Sequence, residues 1–162
     1  MEVNEGCWKH VKSSLDNLKT SNLNKKNLDY ELFREELLEH HRRSIQAHWD
    51  KDIEYLISDL SPEFFTISNA EIKHPTVEAQ RDAFTDYLNH TTFKEYTDLM
   101  EPEIGFSDDA SLAWMNVKVK VSGTRGNSDG SSDTVDFICA WLTLYSRVED
   151  HWLRLGEVST WK

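Results

Sequence analysis

Three runs decide the reading: residues 111–121 (SLAWMNVKVKV), 135–148 (VDFICAWLTLYSRV) and 151–161 (HWLRLGEVSTW). Each is too long and too rich in β-branched and aromatic residues to be anything but a strand, so the three are predicted as neighbours in one antiparallel sheet. In the first, Ala113, Met115, Val117, Val119 and Val121 alternate with Trp114, Asn116, Lys118 and Lys120, as in a strand with one dry face. The second is apolar on both faces and needs cover on both. Residues 123–133 between them, rich in Gly, Ser, Asn and Asp, are expected to form a long, mobile, solvent-exposed hairpin loop. They lack the Gly-Lys-Ser order of a phosphate loop.

Upstream of these strands the periodicity is helical. Asp29 is an N-cap followed by Glu31, Glu35 and Glu36, and Leu32, Phe33, Leu37, Ile45 and Trp49 make an interrupted apolar stripe, which predicts a helix to about Trp49. A second helix is expected over residues 51–60, ending at Ser61-Pro62 because the residue before proline is pushed out of helical geometry. Two short strands, residues 64–68 and 71–74, turn about Asn69-Ala70. Thr76 then caps a third helix over residues 77–88, with Ala83, Phe84, Tyr87 and Leu88 inward. Residues 93–106 alternate weakly, and Pro102 marks a bulge or an edge there. Residues 1–29 read as a separate helical extension: Trp8, Val11, Leu15 and Leu18 share one helical face, and a polar connector follows.

Composition narrows the function. The chain has 162 residues, enough for one domain with a proper core, and a formal charge of −11, which repels phosphate backbones and anionic membrane surfaces. Neither nucleic acid nor membrane is an expected partner, and no apolar stretch approaches the ~20 residues of a membrane span. Cys7 and Cys139 stand in contrasting contexts and are not expected to pair, which suits a reducing, cytoplasmic location. His40, His41, Arg42 and Arg43 suggest a metal or phosphate site, but adjacent helical residues point about 100° apart and cannot clasp one ion. They are expected on a solvated face, and no metal or cofactor is anticipated.

The order of helices and strands, with the run Ile45-Gln46-Ala47-His48-Trp49-Asp50-Lys51-Asp52-Ile53-Glu54-Tyr55-Leu56, then Leu60-Ser61-Pro62-Glu63-Phe64, Ile67-Ser68-Asn69-Ala70-Glu71-Ile72 and Asp150-His151-Trp152-Leu153-Arg154-Leu155, resembles the nuclear transport factor 2-like superfamily, and its SnoaL-like, polyketide cyclase-like branch in particular. The resemblance implies an α+β cone over residues 30–162: a curved antiparallel sheet, covered by three helices, that encloses an apolar pocket. It also implies that a dimer is common. Relatives of this kind include isomerases, dehydratases, hydrolases and binding proteins without catalysis, so fold leaves function open. An alignment to ketosteroid isomerase places Ser68, Ser44 and Ala140 where its carboxylate base and two oxyanion donors would stand, so that catalytic set is absent.

The same alignment turns Asp136, Ile138, Ala140 and Leu142 inward from one strand, and Leu153, Leu155, Glu157 and Ser159 from the last. Glu157, and after it Asp136, are then the carboxylates able to act as polar anchor or general base, with a one-residue bulge as the device that would turn Glu157 outward instead. Trp49, Tyr55, Phe64, Phe84, Tyr87, Met115 and Trp161 complete the expected walls. On that assignment Phe137, Cys139, Trp141 and Trp114 lie on the outer face, to be covered by a second copy of the chain or by the N-terminal helix. The expected ligand is a small apolar molecule. An isomerase, dehydratase or hydrolase and a protein-interaction module are the competing readings.

Overall fold

The computed structural model describes residues 29–162, and the helical extension expected over residues 1–29 lies, Asp29 apart, outside them. Helix α1 (Tyr30–Asp50) starts where the Asp29 carboxylate accepts the Leu32 N–H at 3.1 Å, and stops at Lys51, which takes a left-handed turn (φ 58°). Asp52 caps the single turn α2 (Ile53–Ile57) by accepting the Tyr55 N–H at 3.0 Å. The expected second helix is thus cut short, because the chain is already extended at Leu60 in β1 (Leu60–Ser68). The hairpin to β2 (Glu71–Lys73) follows, then α3 (Val77–His90) under its Thr76 cap. β3 (Thr91–Asp98) and β4 (Glu103–Phe106) come next, parted by the segment that holds Pro102. The three deciding runs form β5 (Leu112–Gly126), β6 (Ser132–Val148) and β7 (His151–Trp161).

The strands make one sheet in the order β2-β1-β7-β6-β5, with β3 and β4 sharing the far side of β5. It is mixed where an antiparallel sheet was expected: β1 runs parallel to β7, and every other pair is antiparallel. The expected loop over residues 123–133 also shrinks to a tight turn. Gly123, Thr124 and Arg125 are held between Val135, Thr134 and Asp133 of β6 on one side and Phe93, Thr92 and Thr91 of β3 on the other, so the ladder runs to the tip.

The helices pack on one face of this sheet. On α1, Phe33, Leu37, His41 and Ala47 are buried, and Leu37 meets Ala113, Met115, Val117 and Tyr145. Fully burying a side chain such as Leu37 stabilises by about 1.5–3 kcal/mol relative to leaving it in water. A second cluster joins Ala47, Leu56 and Leu88, tying the three helices together. Every second residue of β5 from Ala113 to Val121 is buried on the inner face, as its alternation predicts.

That fixes the sides of β6. Residues opposite each other in a ladder share a face, and Val117, Val119 and Val121 stand opposite Trp141, Cys139 and Phe137. Those three therefore point inward, and Asp136, Ile138, Ala140 and Leu142 point outward, the reverse of the expected assignment. A strand apolar on both faces carries no sign of its own, and its neighbour decides. The outer face instead presents Trp114, Leu144 and Phe65 in one row, beside Leu142, Val158, Ile67 and Ile72 in the next.

Candidate functional site: an aromatic cavity with a buried ion cluster

Between α1, α3 and the inner sheet face lies a cavity of about 340 Å³. Its walls are largely aromatic: Phe84 and Tyr87 from α3, Tyr96 from β3, Phe137, Trp141 and Tyr145 from β6, and Trp161 from β7. Helix α1 supplies a stripe in which His40, Ser44 and His48 recur at intervals of four, with His41 and Ile45 beside them. Of the residues expected in the walls, Phe84, Tyr87, Met115, Trp161 and Glu157 are there. Ile138, Ala140 and Leu142 are on the other side of β6, and Asp136 is an exposed surface residue in an ion pair with Lys120. Trp49 packs at the surface against Phe93, Phe64 is core, and Tyr55 stands behind the wall, its hydroxyl against His40. Leu155 is the residue left without a ladder partner where β7 bulges.

That bulge shapes the site. Tyr145 faces Arg154 and the next pair is Leu144 with Gly156, so Leu155 is extra. Regular alternation would put residues 154 and 157 on opposite faces. With one residue inserted between them, both turn inward, and the Arg154 Nη1 comes 3.9 Å from the Glu157 carboxylate. The bulge that was expected to turn Glu157 outward lies on its N-terminal side and turns Arg154 inward instead.

Arg154 is the centre of a buried cluster. Its Nε donates to both Asp59 oxygens at 2.9 Å, and its Nη2 donates to Asp59 at 2.8 Å and to the Leu56 carbonyl. Asp59 also accepts from His40 Nε2 at 3.0 Å, and His40 Nδ1 lies 3.0 Å from the Tyr55 hydroxyl. One tautomer satisfies both His40 contacts: Nε2–H donates to Asp59, and Nδ1 accepts from Tyr55. Burial opposes ionisation of Asp59, but the His40 hydrogen bond and the Arg154 charge together hold its carboxyl below the usual range. Glu157 goes the other way. Burial raises its pKa, Arg154 offsets part of the rise, and the Asp59 charge adds to it. Asp59 thus takes most of the guanidinium, and Glu157 is left facing the cavity as a carboxyl whose ionisation burial opposes.

The expectation of a solvated face at residues 40–43 holds for Arg42 and Arg43 and fails for the two histidines. His41 is 4% exposed and reaches Asp98 at 2.9 Å, while His40 reaches Asp59. The divergence of adjacent helical side chains sends them to different carboxylates rather than to one ion. Among the described residues no group of three or more His, Cys, Asp or Glu is placed to hold a metal. His48, which sequence reading passed over, is ringed by Phe84, Tyr87, Phe93 and Tyr96, with centroids 4.8–6.3 Å away. Its sequence signal was the stripe His40, Ser44, His48 on the helix face that also carries the apolar residues.

No family model matches this chain, and no curated protein matches it in sequence. Solved structures do. An NTF2-like protein from Cytophaga hutchinsonii superposes with a TM-score of 0.61 at 16% identity, covering 78% of this chain and 96% of that one. A hexachlorocyclohexane dehydrochlorinase (LinA) type 2 gives a TM-score of 0.66 at 13% identity over 85% of this chain and 90% of that one. The chain has the nuclear transport factor 2-like fold. The association domain of C. elegans CaMKII is similar as well, with a TM-score of 0.57 at 12% identity over 80% and 96% of the two chains. At these identities the NTF2-like fold is what is shared, and its known bearers range from an enzyme to an association domain.

Proposed function

We propose that this NTF2-like protein, in the manner of the SnoaL-like branch, binds a small and mainly apolar molecule inside the cone, with one polar group of the ligand meeting Glu157. The observation that carries this reading is the 340 Å³ aromatic cavity with Glu157 in its wall. An apolar cavity of about 150 Å³ suffices to hold benzene, so the space suits a molecule of roughly bicyclic size. The test is a thermal-shift and calorimetric screen of bicyclic compounds with and without a carbonyl or hydroxyl, on the wild type and on a Met115→Trp variant that fills the space. Binding by the wild type that the filled variant loses is the expected result. Equal binding to both would overturn the reading.

The enzymatic alternative, an isomerase, dehydratase or hydrolase, rests on the place of Glu157 in the cavity wall, where burial raises its carboxyl above the usual carboxylate range and makes it a candidate general base. Turnover unaffected by Glu157→Gln would exclude that role. A third element of the proposal is a homodimer through the outer sheet face, where Trp114 and Val158 are exposed by 40% and 38%. Among the described residues no helix is long and apolar enough to cross a membrane. A cytoplasmic location is proposed from the free Cys139 thiol.

A further inference from the structure

His48 carries an uncommitted polar atom in the cavity wall. Its Nδ1 lies 2.7 Å from the Ser44 carbonyl oxygen. A carbonyl can only accept, so Nδ1 carries the hydrogen and Nε2 is left as a bare lone pair. Among the described residues Nε2 has no hydrogen-bond partner, while the Nδ1 contact anchors the ring to its own helix and four aromatic rings fix its plane. The ring lines the cavity, and with Nδ1 committed to the helix, Nε2 is the polar atom it has to offer there. A lone pair left open in an otherwise apolar wall is the atom that a donor brought in by a ligand can meet.

We propose that His48 is the specificity residue of the cavity: its Nε2 accepts a hydrogen bond from the ligand, so the protein selects uncharged, roughly bicyclic molecules that carry an O–H or N–H donor. This rests on the cavity being a ligand site, and it adds what the walls alone do not decide, since aromatic rings accept any apolar body of the right size. Protonated imidazole would reverse the selection by offering a donor. Burial among the rings lowers the His48 pKa to about 4, with the nearby Arg154 charge acting in the same direction, so the acceptor form holds through neutral pH.

Three probes of nearly equal shape separate the possibilities: 2-naphthol, which has a donor; 2-methoxynaphthalene, which has only an acceptor; and naphthalene, which has neither. Quenching of tryptophan fluorescence, with Trp141 and Trp161 in the walls, reads binding of each. The wild type is expected to prefer 2-naphthol to 2-methoxynaphthalene by about tenfold or more, the worth of one buried hydrogen bond. His48→Phe should lose the preference while still taking naphthalene, and His48→Gln, which keeps an acceptor, should retain part of it. An undiminished preference in a His48→Phe protein that still binds naphthalene would overturn the assignment and direct the donor to Glu157. Failure of the wild type to bind any of the three would instead remove the ligand site itself, and this proposal with it. Nitrogen-15 spectra of histidine-labelled wild type avoid substitution altogether. The His48 Nε2 resonance should move with 2-naphthol and stay with 2-methoxynaphthalene, and a stationary resonance under saturating 2-naphthol would overturn the proposal.

Discussion

Arg154 and Glu157 stand three apart on one strand yet face the same side, because Leu155 is an extra residue in the ladder between β7 and β6. Two charges that a regular strand would send to opposite faces are thereby brought into one site, together with Asp59. The cluster is buried, so its members depend on one another: removing one partner of a buried ion pair costs far more than the intact pair contributes.

Arg154→Met should therefore be strongly destabilising, by about 3–5 kcal/mol, since it leaves the Asp59 and Glu157 carboxylates without a cation. Arg154→Met combined with Asp59→Asn should recover a substantial part of that loss. Urea unfolding of the two single variants and the double variant measures the coupling directly, and additive losses would contradict it.

His48 sets a pH dependence whose sign can be worked out. Its folded pKa, about 4, lies below the 6.5 of a free histidine side chain, so between these values the unfolded chain binds a proton that the folded chain does not. Stability contributed this way is fully present above pH 6.5 and falls as pH drops toward 4, by roughly 3 kcal/mol in all. His48→Phe should flatten the stability curve across that window in urea titrations at stepped pH. Glu157, whose pKa is raised, acts in the opposite direction and weakens the fold as pH climbs through its folded value.

The two carboxylates singled out from sequence should behave differently. Asp136 is exposed and paired with Lys120 at the surface, an interaction of the kind that contributes about 0–1 kcal/mol. Asp136→Asn is expected to leave both stability and ligand binding nearly unchanged. Glu157→Gln should alter ligand affinity, and calorimetry on both variants with one ligand makes the comparison.

The outer sheet face gives a test of assembly that spares the cavity. Leu142→Lys places a charge in the row formed with Val158, Ile67 and Ile72. Light scattering at micromolar concentration should show a dimer for the wild type and a monomer for the variant, with cavity binding retained. A wild-type monomer would end the dimer reading.

The fold was legible where a pattern had a phase. Alternation in β5 and the caps at Asp29 and Thr76 mark their elements without help from the rest of the chain. The site was less so. β6 is apolar on both faces, and only its pairing with β5 shows that Cys139 and Trp141 are inside while Ile138 and Ala140 are out. The bulge at Leu155 left a single trace, Gly156, which lies beneath the Phe65 ring where a Cβ would collide with it. The ion cluster joins Asp59 to Arg154 across 95 positions, a separation that local periodicity cannot bridge.

Cys139 gives the cavity a clock. Its thiol is 2% exposed in the wall, and burial raises its pKa to about 12, so it is neutral and sheltered in the closed protein. Thiolate is the reactive form. Once Cys7 is replaced by Ser, the slow labelling of Cys139 becomes a measure of how often the cone breathes, a rate that an occupant would lower by holding the walls together.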